Sequence, residues 1–255
     1  EGFDIIMSSF TQEKDYIICE NPTHNTAIKI MKSHNLNILG VDINEDGLDF
    51  NMLEDNLVKY KNKIKFAYIT PSYHNPTGIV MTPENRYKFY NLMKKYNIAI
   101  IEDGFNEELL YNSSHIFPIC SLDNMNNGVV YIGSFSKILF PGMRIGWIFA
   151  DKKVINKLES VKRCRNIHVS FLDQGILFDY LSNGGFEKYI KKIRKFYGDK
   201  FNFAYKCIKK YIKTEYILGD GGLHIFIKLK NIDTRVLLEK CYEKNVIFMP
   251  GDLFF

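Results

Sequence analysis

The sequence lacks the features that mark non-globular proteins. Only 7 of its 255 residues are proline and 17 are glycine, which excludes a collagen-like or low-complexity chain. Disorder is excluded as the dominant state because 46% of the residues are apolar. No apolar run approaches the ~20 residues that span a bilayer, and the first residues lack the basic stretch of a signal peptide. We therefore expect no membrane association.

Cysteines are few and scattered. The five of them, at positions 19, 120, 164, 207 and 241, show neither zinc-site spacing nor a C-x-x-C pair. We therefore expect reduced thiols, no metal site and a cytoplasmic location. Positive charge is concentrated between residues 151 and 213, where 16 Lys and Arg face 6 Asp and Glu. We interpret this surplus as solvated helix faces in preference to nucleic-acid contact.

The first 150 residues alternate short β-rich runs with helical stretches. Between two of the runs, Thr82 is a candidate N-cap, Pro83 suits the first helical position, and apolar residues repeat at helical spacing. This alternation predicts an α/β fold with a mostly parallel, doubly wound sheet. The candidate strands are Tyr16–Cys19, Ile38–Ile43, Ile64–Ile69, Ile98–Glu102, Val129–Gly133 and Ile145–Phe149.

The last 100 residues follow a different pattern. Residues 152–212 read as helical, with one break at Asn183-Gly184-Gly185. A strand-like run at Leu223–Leu229, an amphipathic helix at Thr234–Glu243 and a strand at Val246–Met249 follow. We therefore expect a large domain over residues 1–185 and part of a smaller α/β lobe over residues 186–255.

Polar clusters follow several predicted strands, at the sheet edge where open α/β folds bind ligands. The clusters contain four ordered motifs: Asn75-Pro76-Thr77-Gly78, Asp103 at a strand end, Ser134-x-Ser136-Lys137 and Pro141-Gly142-x-Arg144. In order and spacing the chain resembles fold-type I pyridoxal-phosphate aminotransferases of class I and II. Its motif sequences are most similar to those of the branch of 2-aminoadipate and kynurenine transaminases. That branch includes the aminotransferase-like domains of MocR-type GntR regulators.

The resemblance implies a role for each motif residue. Lys137 matches the lysine that forms the Schiff base with pyridoxal 5'-phosphate and later moves a proton. Asp103 matches the carboxylate that pairs with the pyridine nitrogen and keeps the ring protonated. Asn75 matches the residue that hydrogen-bonds the phenolic oxygen of the cofactor. The hydroxyls and guanidinium that match the phosphate site belong to Ser134, Ser136 and Arg144.

Two positions depart from the pattern of many relatives. His24 stands where they place a tyrosine that stacks on the cofactor ring, and an imidazole can also stack. Phe105 stands where they place a tyrosine that donates to the phenolic oxygen, which phenylalanine cannot do. We expect the cofactor to bind and its electronic tuning to differ.

The resemblance implies an aminotransferase that transfers nitrogen from an amino acid to a 2-oxo acid in a ping-pong cycle, as a homodimer. The alternative is a transcription regulator whose domain senses the cofactor. A helix-turn-helix upstream of Glu1 would mark the regulator and its binding to DNA. We expect the chain to be a portion of a longer protein, because the phosphate-binding turn before Glu1 and the substrate-clamping arginine after Phe255 fall outside it. Its substrate is left open.

Overall fold

The computed structural model describes residues 1–44, 47–111, 115–123 and 128–255. Nearly continuous apolar runs form the inner strands of the main sheet, as expected for strands that are covered on both faces. The strands of this sheet are β1 (Tyr16–Asn21), β2 (Asn37–Asn44), β3 (Gly47–Leu48), β4 (Ile64–Ile69), β5 (Ala99–Asp103), β6 (Val129–Ser134) and β7 (Gly146–Phe149). All six predicted strands of this region are present, with bounds that differ by at most two residues at either end.

The sheet has the strand order β3-β2-β1-β4-β5-β6-β7. The five strands from β2 to β6 in this order are parallel, and the edge strands β3 and β7 are antiparallel to their neighbours. The predicted fold class, a mostly parallel doubly wound sheet, is therefore confirmed. Because the parallel strands all end at one edge, the segments that follow β1, β4, β5 and β6 meet there.

Helices cover both faces of the sheet. Successive residues of a strand point to opposite faces, and in β1 Ile17 packs in one apolar cluster whereas Ile18 packs in the other. The helices are α1 (Gly2–Phe10), α2 (Asn25–Ser33), α3 (Phe50–Tyr60), α4 (Pro83–Lys95), α5 (Lys152–Asn166), α6 (Phe171–Ser182), α7 (Gly185–Tyr211) and α8 (Thr234–Tyr242). Residues of α1, α2 and α5 join the Ile17 cluster, and residues of α3 and α4 join the Ile18 cluster.

Capping residues fix where these helices begin. The side chain of Thr82 accepts a hydrogen bond from Asn85 N at 3.2 Å, and Pro83 occupies the first turn of α4. Both features confirm the prediction made for this helix. The predicted helical region 152–212 contains a second break that the sequence analysis missed, between Asn166 and Phe171, where Ile167 has a φ of +58°.

The carboxy-terminal part contains a two-stranded antiparallel sheet, β8 (Tyr216–Leu218) and β9 (Phe226–Lys228), followed by α8. The prediction of a strand at Val246–Met249 is wrong. Val246 N donates to Cys241 O at 2.9 Å, which closes the end of α8, and the side chains of Val246 and Ile247 are exposed. An apolar run forms a strand only where another strand pairs with it.

Candidate active site

A cavity of about 540 Å³ lies at the carboxyl edge of the main sheet. Its size falls within the range of small-molecule sites in proteins. It is lined by backbone and side chains from α1, α2, β7 and α5 and from the segments that follow β5 and β6. Six of the seven predicted site residues line it: His24, Asp103, Ser134, Ser136, Lys137 and Arg144.

Asp103 ends β5 and is half-buried, with part of its surface open to the cavity. Burial raises the pKa of its carboxyl group to about 6, against the hydrogen bond from Tyr68, whose Oη lies 2.7 Å from Asp103 Oδ2. The glycine that follows is required by space, since a Cβ on Gly104 would lie 2.0 Å from the Tyr131 hydroxyl oxygen. The turn therefore holds the Asp103 carboxylate at the cavity wall, where its partial removal from water is unfavourable.

Lys137 follows β6 on a turn that contains Ser134 and Ser136. Ser134 Oγ accepts a hydrogen bond from Ser136 N at 3.2 Å, and Phe135 N donates to Ile145 O, which fastens the turn to the segment before β7. The Lys137 side chain is exposed and lines the cavity together with His24. Burial, followed by the positive charge of Lys137, lowers the pKa of His24. His24 is therefore neutral at neutral pH.

Arg144 stands at the end of a short 3-10 turn, with φ +54° and ψ +33°. This left-handed conformation is strained for a residue with a side chain, and such strain is concentrated at functional sites. The guanidinium is exposed at the cavity and donates to Pro141 O at 3.2 Å. The positive charge of Arg144 thus lies at the same cavity as Ser134 and Ser136.

Asn75, the seventh predicted residue, is buried beside the cavity and does not line it. Its Oδ1 has no hydrogen-bond partner among the described residues. The loop from Pro71 to Asn75 is held by Arg86 of α4, whose Nη2 donates to Pro71 O at 3.0 Å and to Ser72 Oγ at 2.8 Å. Arg86 is only 2% exposed, so α4 fixes this loop from within the core.

The carboxy-terminal segment covers the same loop from outside. Asp220 N donates to Gly78 O, and Val80 N donates to Asp220 Oδ2, both at 2.9 Å. Gly78 has a φ of +70°, and a Cβ there would lie 2.7 Å from His224 O. Only glycine fits both the backbone conformation and this close approach.

His24 and Phe105 present parallel rings at the cavity, with an angle of 12° between the planes and 6.1 Å between the centroids. Phe105 therefore faces the cavity, as its place in the sequence pattern suggested. Its ring offers an apolar face where a phenol would offer a hydroxyl group.

Several contact residues of the site were missed by the sequence analysis. Tyr68 lies inside an apolar strand, and nothing in its neighbourhood signals a contact with a residue 35 positions later. Arg86 reads as one of many exposed helix cations, and Glu20 and His74 read as ordinary loop residues. Their burial depends on tertiary packing, which periodicity does not report.

The family model for aminotransferases of class I and II matches residues 2–254. The chain belongs to this family. The matched range includes every strand of the described main sheet. The resemblance that the motifs indicated is confirmed.

Individual members support the assignment. The chain is 31% identical over its full length to aromatic-amino-acid aminotransferase 1 of Thermococcus litoralis and covers 62% of that protein. It superposes with a TM-score of 0.94, at 30% identity, on kynurenine aminotransferase of Pyrococcus horikoshii, solved in complex with PMP; the match covers 99% of this chain and 64% of that one. An HTH-type transcriptional regulator of Bacillus subtilis is 25% identical over the full chain, which covers 52% of the regulator.

The chain therefore spans less than two thirds of the length of these aminotransferases. Within the described residues no helix is both long and apolar enough to cross a bilayer. The same residues contain no cluster of three or more histidine, cysteine and acidic side chains suited to a metal ion.

Proposed function

We propose that the protein to which this chain belongs is a pyridoxal-phosphate-dependent aminotransferase that moves an amino group between an amino acid and a 2-oxo acid. The observation that supports this most is the convergence of the Lys137 amine and the half-buried Asp103 carboxylate on one cavity at the carboxyl edge of the sheet. The family assignment makes this convergence specific, because a lysine and a carboxylate alone occur in many clefts.

The residues of the cavity fit the cofactor. The carboxylate of Asp103 is desolvated, so a protonated pyridine nitrogen would supply the opposite charge and lower the pKa of Asp103 from about 6. Asn75 is buried outside the cavity lining, and its amide nitrogen Nδ2 is the donor that the phenolic oxygen of the cofactor would need. His24 and Phe105 add two parallel rings for a planar heterocycle.

A second set of residues fits a phosphate group. The hydroxyl groups of Ser134 and Ser136 and the guanidinium of Arg144 line one cavity. Hydroxyl donors with a guanidinium match the oxygens of a dianion, and the bidentate geometry of arginine suits phosphate in particular. We propose that these three residues anchor the cofactor.

When bound, pyridoxal phosphate supplies an electron sink for the substrate carbon. The residues of this chain supply attachment, orientation and proton transfer. The Lys137 amine would hold the cofactor covalently and, when free, would accept a proton as a base and return it as an acid. Asp103 would hold the proton on the ring nitrogen, and neutral His24 adds no competing positive charge beside Lys137.

Covalent capture tests the proposal. Full-length protein incubated with pyridoxal phosphate should be yellow, and borohydride reduction followed by peptide mapping should place the label on Lys137. Lys137→Ala should remove the label and lower the turnover by at least about 10³-fold. Lys162→Ala is the matched control, because Lys162 lines the same cavity but pairs with Glu1. A label on any lysine other than Lys137 would contradict the assignment.

The substrates are a further proposal. Aromatic amino acids and kynurenine are the first amino donors to assay, because relatives named for them are among the most similar proteins. A 2-oxo acid is the required acceptor. We also propose that the protein acts in the cytoplasm.

A cofactor-sensing regulator is the second candidate, favoured by the regulator that matches the full chain at 25% identity. The two candidates differ in what the full-length protein binds. A regulator would contain a helix-turn-helix and shift a labelled DNA fragment from its own promoter. Turnover with an amino acid and a 2-oxo acid, without any shift of the DNA fragment, would support the aminotransferase and contradict the regulator.

A further inference from the structure

Tyr68 of β4 lines the cavity beside Asp103. Its register partner on β5 is Ile101, two residues before Asp103, so Tyr68 and Asp103 point to the same face of the sheet. The Tyr68 hydroxyl oxygen lies 2.7 Å from Asp103 Oδ2. A side chain in the middle of one strand therefore reaches the carboxylate at the end of the next strand.

The Tyr68 ring is held by packing on several sides. Tyr68 is 2% exposed, and the Phe3 ring of α1 lies against it with 4.8 Å between the ring centroids. Cys19 of β1 is its register partner on the other neighbouring strand, and both belong to the apolar cluster that contains Ile101. Because side chains in close-packed interiors stay in one rotamer on average, the hydroxyl group is held at the carboxylate.

The hydrogen bond between the two side chains has a defined direction. Burial, followed by the charge of Asp103, raises the pKa of Tyr68 well above its ordinary value, so the phenol keeps its proton. An ionised carboxylate only accepts hydrogen bonds, so the Tyr68 hydroxyl group is the donor. Burial raises the pKa of Asp103, and this hydrogen bond lowers it again in part.

The Asp103 carboxylate keeps acceptor capacity for a bound group. The backbone amide of Phe105 is a second donor to it, whereas its two oxygens offer about four lone pairs. Part of Asp103 is open to the cavity. A cation bound in the cavity can therefore pair with a carboxylate that Tyr68 already holds.

We propose that Tyr68 is a positioning residue of the site: its hydroxyl group fixes the orientation of the Asp103 carboxylate and stabilises its negative charge, which keeps the proton of the bound cofactor on the pyridine nitrogen. This inference rests on the proposed function. It assigns to Tyr68 a role that acts through Asp103.

The sign of the effect follows from the two positions open to one proton. With the proton on the pyridine nitrogen, Asp103 is charged; with the proton on Asp103, both groups are neutral. A hydroxyl group bonds a charged carboxylate more strongly than a neutral carboxyl group. Tyr68 therefore favours the proton on nitrogen, and loss of its hydroxyl group should move the proton toward Asp103.

Other charged and titratable groups face the pair and stay unchanged in the variants below. They are Cys19 and Glu20 of β1, the amino group of Glu1 before α1, His24 before α2 and Lys137 after β6.

Tyr68→Phe tests the electrostatic effect in the full-length protein without cofactor. The variant keeps the ring that packs on Phe3 and removes only the hydroxyl group. Carbon-13 NMR of the Asp103 carboxyl group should show its pKa raised by about 1 unit, because a hydrogen bond to the charged form is lost.

Tyr90→Phe is the matched control. Tyr90 is also a buried tyrosine that donates to a carboxylate, Asp123 Oδ1 at 3.1 Å, but it packs in the other apolar cluster of the sheet. It should leave the Asp103 titration unchanged.

The protein loaded with nitrogen-15-labelled pyridoxal phosphate gives the second measurement. In Tyr68→Phe at pH 7 the ring-nitrogen resonance should move toward that of unprotonated pyridine, and in Tyr90→Phe it should stay in place. The turnover should fall about 10-fold in Tyr68→Phe while the KM of the amino donor changes less than about 2-fold. A residue that only packs would leave the resonance unchanged.

A double variant tests whether Tyr68 acts through Asp103. In an Asp103→Asn background, Tyr68→Phe should no longer move the ring-nitrogen resonance, because the charge that the hydroxyl group stabilises is gone. An equal movement in both backgrounds would overturn the positioning role.

An unchanged Asp103 titration in Tyr68→Phe overturns this inference even if the cofactor does not bind. Failure of the wild-type protein to take up pyridoxal phosphate overturns the proposed function instead.

Discussion

Asp103 shows at the scale of one residue how a functional group can oppose stability. Its pKa is about 6 in the folded protein against an ordinary value of 3.8, so between these pH values the folded state binds more protons than the unfolded state. The free energy of unfolding contributed by this group therefore falls as the pH rises from about 4 to about 6, and it stays low above pH 6.

Asp103→Asn should accordingly stabilise the cofactor-free protein at pH 7. We expect a gain of about 1–3 kcal/mol at pH 7 that disappears near pH 4, measured as the shift of the urea midpoint at both pH values. Asp55→Asn on the exposed face of α3 should leave the midpoint unchanged at either pH. A gain that is equal at pH 4 and pH 7 would show that charge burial is not its cause.

Phe105 gives a second prediction at this scale. Phe105→Tyr would place a hydroxyl group in the cavity beside Asp103, and a hydrogen bond to a charged oxygen is worth about 1.5–3 kcal/mol. The pH midpoint of the absorption band of the bound cofactor should therefore shift in the full-length variant, and the turnover with a fixed amino acid should change. If neither responds, Phe105 does not face the phenolic oxygen.

The sequence predicted the site residues that belong to a recognisable motif. It did not predict the residues whose contacts depend on tertiary packing. Lys137, Asp103 and Arg144 stand in ordered motifs, and the structure brings their side chains to one cavity. Tyr68 and Arg86 take their partners from residues that are distant in the sequence. Such contacts follow only once the strand order is known.

At the scale of elements, α4 matters because Arg86 ties it to three segments. The guanidinium donates to Met81 O, to Phe117 O and to the loop at Pro71 and Ser72. A single lysine ammonium cannot replace a planar group with five donors.

Arg86→Lys should lower the free energy of unfolding by about 2–4 kcal/mol, because buried carbonyl groups lose their donors. Urea unfolding of the full-length protein measures this. Arg163→Lys is the control, since Arg163 is exposed and pairs with Glu159 on the same helix, where less than about 0.5 kcal/mol is expected. Equal changes in the free energy of unfolding at the two sites would contradict a structural role of Arg86.

The strands also show what a sequence can reveal about elements. The bounds of the inner strands of the main sheet were predicted to within two residues. A short apolar run between two helical patterns is typical of a buried strand. The carboxy-terminal part was predicted less well. β8 and β9 have three residues each, and the apolar run at 246–249 meets no partner strand among the described residues.

At the scale of the whole molecule, α6 presents an apolar surface. Phe171, Leu172 and Phe178 are 83%, 72% and 72% exposed. Large exposed apolar side chains on one helix mark an interaction surface. We propose that this surface belongs to the homodimer that the family resemblance implies.

Sedimentation of the full-length protein at micromolar concentration should give twice the chain mass. Leu172→Glu should shift the protein toward monomer, because a desolvated charge would face an apolar surface. Val58→Glu on α3, at a residue 62% exposed, should leave the dimer intact. A wild-type monomer with cofactor bound would contradict the proposal.

The bonds between Gly78, Val80 and Asp220 join parts of the chain that the ribosome makes at different times. All seven predicted site residues, the last of them Arg144, leave the ribosome before Asp220. At about 5–20 residues per second the interval lasts roughly 4–15 seconds. During that interval the nascent chain has the lysine and the carboxylate of the site but no cover over the loop of Asn75. We expect the nascent protein to retain the cofactor only after the segment at Asp220 has been synthesised and has docked.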